Sequence, residues 1–277
     1  MNGSDPGGVK PGASELRLRV ISALVLAAVV LAATLWGGWP FRLLWILVAG
    51  LVAYEWLAIV GSRRPVAVAA GAGVVLAGLL LAALPVSAAA LAGAGALAAL
   101  AGAVLTPRLE NRTGLEACGI AYALVFALVT PALREFPGIG LGLVIWTFAV
   151  VWFTDIAAYF TGRALGGPKL MPRVSPKKTW SGALGGTAAG MAGGAAVWAL
   201  FPAPGWSTAV TVLAVSCLAS VASQAGDLFE SAIKRRFGTK DSSRLIPGHG
   251  GFLDRLDGYW AVLVLCGLLL YLAQLDL

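Results

Sequence analysis

Along most of this chain apolar residues neither alternate with polar ones nor recur at helical spacing; they run on almost without interruption. Such runs lie at 18–36, 42–61, 66–84, 87–105, 115–133, 139–161, 183–201, 207–229 and 258–275. About 20 helical residues cross the roughly 30 Å hydrocarbon core of a bilayer. The pattern therefore predicts an all-α polytopic integral membrane protein with about nine transmembrane helices. The runs at 66–84 and 87–105 consist largely of Ala and Gly, and removing either from the count would invert the orientation of everything after it. Ahead of the first run, residues 1–17 are rich in Gly, Pro and Ser and read as a disordered tail. No convincing small-residue cleavage site follows, so the first run is taken as a retained helix.

Composition agrees with lipid as the solvent. Of 277 residues 59% are apolar and 12% charged, and mean hydropathy is +0.86. A soluble domain carries about a quarter charged residues. Disorder, a disulfide scaffold and a soluble nucleic-acid binder are excluded, so nucleic acid is not expected as a partner. Cys118, Cys217 and Cys266 fall inside apolar runs without metal-ligand spacing and read as small core residues. His249 is the single histidine, which excludes a multi-histidine metal site.

The net charge of +7 matters through its distribution. If nine spans alternate, the N-terminus and the segments after the second, fourth, sixth and eighth spans share one side and hold 18 of the 20 Lys and Arg; Arg42 and Arg134 fall on the other. Basic residues are retained inside, so the N-terminus and both long loops are expected in the cytoplasm and the C-terminus on the opposite side. Trp36, Trp39, Trp180, Trp206 and Trp260 lie near span ends, where indole prefers the headgroup region. Gly182, Gly186, Gly190 and Gly194 recur every fourth residue and predict a ridge for close helix packing. Three regions result: the tail 1–17; N-terminal helices 18–133 for anchoring, packing or dimerisation; and a catalytic membrane domain 134–277 with cytoplasmic loops 162–182 and 230–257.

An ionisable group at mid-membrane costs about 2.5–3.5 kcal/mol on insertion scales, so carboxylates inside spans need a reason. Glu55, near Arg63 and Arg64, reads as an interfacial ion pair or a functional group. Asp155, with Tyr159 one turn on and Arg163 two turns on, marks a polar helical stripe suited to binding, or a structural Asp–Arg pair. The loop GRALGGPKLMPRVSPKKTWSG carries five cations, and Gly and Pro keep it from forming a long helix. Lys177, Lys178 and Thr179, directly before the seventh span, are placed to hold a phosphate; contact with anionic headgroups would need no such site.

The second loop is more informative. SQAGDLFESAIKRRFGTKDSSRLIPGHGGFLDRLDGYW combines six cations with Asp227, Glu230, Asp241, Asp254 and Asp257 and a Pro247-Gly248-His249-Gly250-Gly251 turn. Orientation rules ask only for cations. If the connection is a hairpin, Asp227 and Asp254 return to one membrane mouth and offer a hard-cation site. Mg2+ takes one or two carboxylates and completes its shell with water and substrate phosphates.

The segment from Ser231 to Asp257, SAIKRRFGTKDSSRLIPGHGGFLDRLD, resembles the signature of the phosphatidate cytidylyltransferases, or CDP-diglyceride synthases. Ser231, Lys234, Arg235, Lys240, Asp241, His249, Gly250, Gly251, Asp254, Arg255 and Asp257 all match it. Ser243 stands where glycine is common in the family. The stretches around Asp155 and SPKKTWSG are similar to the family's other polar segments. The resemblance implies transfer of the cytidylyl group of CTP to phosphatidate, giving CDP-diacylglycerol and pyrophosphate, at the inner (plasma) membrane with the site facing the cytoplasm. It also implies a homodimer and a divalent cation, usually Mg2+, with Asp227 and Asp254 as its ligands; assistance by K+ or a second divalent ion stays open. Lys234, Arg235, Lys240, Arg255, Lys177 and Lys178 are assigned to phosphate charge, with Asp155, Tyr159, Thr179, Ser231, Gly250 and Gly251 on the substrate side. Phosphatidate already carries an ionised oxygen, so Asp241, Asp257 and His249 need not act as bases. A CTP-dependent kinase of polyprenol or phytol alcohols and, in a different class, a transporter are the competing readings.

Overall fold

The computed structural model describes residues 13–63, 112–201 and 208–275. The expected spans at 66–84 and 87–105, and Trp206, lie outside the described residues. Seven helices and one hairpin follow in order: α1 (Ala13–Trp36), α2 (Gly38–Ile59), α3 (Arg112–Arg134), α4 (Gly140–Leu165), β1 (Lys169–Met171), β2 (Ser175–Thr179), α5 (Trp180–Leu200), α6 (Ala209–Arg236) and α7 (Leu253–Leu275). Among the described residues five helices, α2 to α6, are long and apolar enough to cross a bilayer. The chain is a multi-pass, predominantly helical membrane protein. Large apolar side chains such as Leu24, Leu35, Phe153 and Phe160 lie exposed along the helices, the expected outer face of a protein whose solvent is hydrocarbon.

Several boundaries move. α1 begins at Ala13, inside the expected tail. α4 continues to Leu165, and the expected loop 162–182 shrinks to an antiparallel hairpin pairing Lys169 with Thr179 and Met171 with Ser175. α6 extends to Arg236, and α7 starts at Leu253. Asp227, Glu230, Ser231, Lys234 and Arg235 are therefore helical, and Asp254 and Asp257 occupy the first turns of α7. Between Asp227 and Phe237 no Gly or Pro stops α6; the helix ends only where Gly238 takes a φ of +68°.

An aromatic core joins the N-terminal helices to the C-terminal ones. Trp45 of α2 stacks on Tyr259 of α7 at 5.2 Å, and Trp56 packs against Tyr122 of α3 at 5.2 Å. Trp260 is buried, stacks on Tyr122 at 4.3 Å and donates to the Tyr122 carbonyl at 3.0 Å. It is a core residue, which corrects its reading as an interfacial anchor; Trp36, Trp39 and Trp180 are exposed as expected. Cys118 and Cys266 are buried, and Cys217 is half-buried.

The glycine ridge is buried against α4 and α6. A Cβ on Gly186 would lie 2.8 Å from the Thr154 carbonyl oxygen, and one on Gly194 would lie 2.1 Å from Ser216 Oγ. Only missing side chains permit this approach. Packing α4, α5 and α6 together, and α6 against α7, gathers the polar ends of these helices.

Candidate active site

α6 presents Asp227, Glu230 and Lys234 at intervals of three and four residues, on one face. Lys234 Nζ lies 2.7 Å from Glu230 Oε2 and 2.6 Å from Asp254 Oδ1 on α7. These side chains are 12%, 1% and 7% exposed respectively. Charges so far from water persist only when paired, and this ammonium between two carboxylates ties the end of α6 to the start of α7. Asp254 Oδ2 also accepts from the Gly251 amide at 2.9 Å, the Ser242 amide at 3.0 Å and Ser242 Oγ at 3.0 Å. Burial raises its pKa, but Lys234 and these amides more than offset it, and the carboxyl lies below its ordinary value.

Asp227 is more open, at 31% exposed. Its carboxylate pairs with Lys178, carried there by β2, and lies 3.4 Å from Ser231 Oγ. Asp155 and Asp257 both lie within electrostatic reach of Asp227, and Asp155 also of Lys178 and Arg255. Of the two readings of this stripe, the structural Asp155–Arg163 pair is not formed: Arg163 donates to the Tyr159 hydroxyl at 2.9 Å. Thr179 caps α5, its hydroxyl accepting from the Gly182 amide at 3.1 Å. Lys177 remains exposed beside it.

The 247–251 turn is held from α1. Ser22 Oγ stands 3.0 Å from His249 Nδ1 and 3.3 Å from the Pro247 carbonyl oxygen. Arg255 Nε donates to the His249 carbonyl at 3.0 Å. Gly250 adopts a φ of +81°, which disfavours any side chain. A Cβ on Gly251 would meet Ser242 Oγ at 2.0 Å and Glu55 Oε1 at 2.4 Å. Both glycines thus admit the protein's own polar groups. Arg235, Lys240, Asp241 and Arg255 are exposed at the same end, while Asp257 is half-buried and accepts from the Gly258 amide at 2.7 Å.

The donor chemistry fits a hard divalent cation. The Lys178 ammonium already sits on Asp227, a carboxylate that accepts positive charge. Among the described residues no three carboxylate, histidine or cysteine groups are grouped to hold an ion, so a cation here would need phosphate and water oxygens to complete its shell. Asp227 is open to such an ion; Asp254 takes one only by exchanging Lys234.

Sequence reasoning did not assign Glu230, Ser242, Ser243 or Ser22 to the site and left Glu55 undecided. The Glu230–Lys234 pair was legible as an i, i+4 Glu–Lys spacing. Ser22 and Glu55 contact residues about 190–230 positions away, for which the sequence holds no local signal.

Comparison with known proteins matches residues 17–273 to the model of the "Cytidylyltransferase family". The chain is 45% identical over 262 residues to a phosphatidate cytidylyltransferase of Brucella suis biovar 1, covering 94% of this chain and 93% of that protein. It is 43% identical over 131 residues to a phosphatidate cytidylyltransferase of Staphylococcus haemolyticus, covering 47% and 50%.

Proposed function

The chain belongs to the cytidylyltransferase family, and from that premise we propose that it transfers the cytidylyl group of CTP to phosphatidate, releasing CDP-diacylglycerol and pyrophosphate. The observation that carries this reading is the Lys178–Asp227 ion pair, which brings the hairpin onto α6, with Asp155 and Asp257 within electrostatic reach of Asp227 and Arg255 within reach of Asp155. Mixed charge of this kind suits two anionic phosphate substrates and a cation between them.

A phosphatidate oxygen attacks the α-phosphorus of CTP in line, the new P–O bond forms, and the bond to pyrophosphate breaks on the opposite side. Phosphatidate supplies an ionised nucleophile, so no residue need remove its proton. Both reactants are anionic, and catalysis consists mainly of positioning and charge stabilisation. Mg2+, when bound at Asp227 and Asp254, would neutralise phosphate charge. Lys178, Arg235, Lys240 and Arg255 offer ammonium and guanidinium groups for phosphate oxygens, with Lys177 at the hairpin edge. Lys234 fixes the two acidic helix ends until a cation takes its place on Asp254, and keeps Glu230 thereafter. With Ser22 at Nδ1, His249 keeps Nε2 for a phosphate oxygen. The nine-span topology, cytoplasmic N-terminus and mouth, inner-membrane location, homodimer and assisting K+ belong to the same proposal.

Purified protein given labelled CTP and phosphatidate is expected to form CDP-lipid and pyrophosphate in equal amounts. Release of CDP with a phosphorylated alcohol would favour the lipid kinase, and no chemistry would favour a transporter. Asp155→Asn is expected to lower turnover about 10-fold or more by weakening the charge cluster; full turnover in that variant returns Asp155 to a structural role.

A further inference from the structure

We propose that Glu55, on α2 in the N-terminal half, is a positioning residue for the transfer centre, acting by holding the 242–253 segment in place. Its side chain is 0% exposed. Such a carboxylate is costly in a protein interior unless fully bonded, and here three donors bond it while the Ser242 hydroxyl lies between it and Asp254. Oε1 accepts from Ser243 Oγ at 2.6 Å and the Phe252 amide at 3.0 Å. Oε2 accepts from the Leu253 amide at 2.7 Å and lies 3.0 Å from Ser242 Oγ.

Phe252 and Leu253 open α7, where amides lack partners within their own helix. Glu55 therefore caps α7 from another helix, its negative charge also matching the positive end of the α7 dipole. Ser242 extends the link: its hydroxyl lies 3.0 Å from both Glu55 and Asp254, and its amide donates to Asp254. Asp254 in turn holds Lys234. The carboxylate lies buried beneath the turn, so it acts through Asp254 and the 247–251 backbone. α2 reaches this depth because Trp45 and Trp56 lock it to α3 and α7, with Trp56 Nε1 donating to the Leu115 carbonyl at 2.9 Å.

This inference rests on the cytidylyl-transfer reading. In Glu55→Gln the amide NH2 faces one serine hydroxyl, which can turn and accept, and one backbone amide, which is left unpaired, loosening the turn. With the full-length protein in lipid, kcat is expected to fall about 10- to 100-fold, as for a misplaced catalytic group, while KM for CTP stays within about threefold. Hydrogen exchange at the Phe252 and Leu253 amides should accelerate, with that of the remaining helices unchanged. If Glu55→Gln does not fold, Ser243→Ala removes a single donor, and a several-fold fall in kcat at unchanged KM is expected there. A folded Glu55→Gln protein with wild-type kcat overturns the inference, as does unchanged exchange at both amides; wild-type kcat in Ser243→Ala does so when Glu55→Gln fails to fold. A wild-type chain that makes no CDP-lipid sinks the functional reading instead, so the two failures are distinguishable.

Discussion

Asp227→Asn is expected to abolish metal-dependent CDP-lipid formation, by about 1000-fold or more, while leaving the fold intact. The carboxylate is partly open and bonds Lys178 and Ser231 rather than a buried network. Removing its charge leaves no buried ion unpaired, since Lys178 is itself 28% exposed. Turnover measured against Mg2+ concentration, beside a thermal melt, checks this. Near-wild-type activity would remove Asp227 from the metal assignment.

Asp254→Asn should behave differently. Its carboxylate neutralises the buried Lys234 and receives the Gly251 and Ser242 amides, so the variant loses stability as well as turnover. Breaking one side of a buried pair costs about 3–5 kcal/mol, and the remaining Glu230 partner reduces that figure. The folded carboxyl lies below its ordinary value, so its stabilisation is present above the usual carboxylate range and lost as pH falls through the folded value.

Gly251→Ala is expected to have a comparably large effect. The added methyl would stand 2.0 Å from Ser242 Oγ and 2.4 Å from Glu55 Oε1, both held by other bonds. Either the 247–253 segment shifts or Glu55 loses its amide donors. A stability loss of about 1–3 kcal/mol is expected from overpacking, with turnover down about 100-fold as Asp254 moves. Thermal melting and turnover of the purified variant test it. A variant as stable and active as wild type would show that the turn tolerates displacement and that Gly251 does not set the geometry.

What was legible in the sequence follows from the range of the forces involved. Apolar runs announce membrane helices because their solvent is decided by the segment itself. Helix ends were less legible: the 227–237 stretch is polar enough to resemble a loop, yet without Gly or Pro it stays helical until Gly238. The hairpin at 169–179 lacks an alternating pattern, and its pairing depends on anchoring between α4 and α5. Trp260 looked interfacial by position and is core by packing, since sequence places a residue along a helix axis without saying which face meets a neighbour.

By itself the sequence determined that lipid is the main solvent, that helices carry the chain, and that residues 231–257 bear the family's polar signature, because composition and short motifs are local properties. Only the tertiary structure decided that Lys234 is clamped between Glu230 and Asp254, that Lys178 of the hairpin pairs with Asp227, and that Glu55 caps α7 from the other half of the chain. Those contacts join positions up to about 200 residues apart, and they exist because buried charges and uncapped amides must find partners wherever packing brings them.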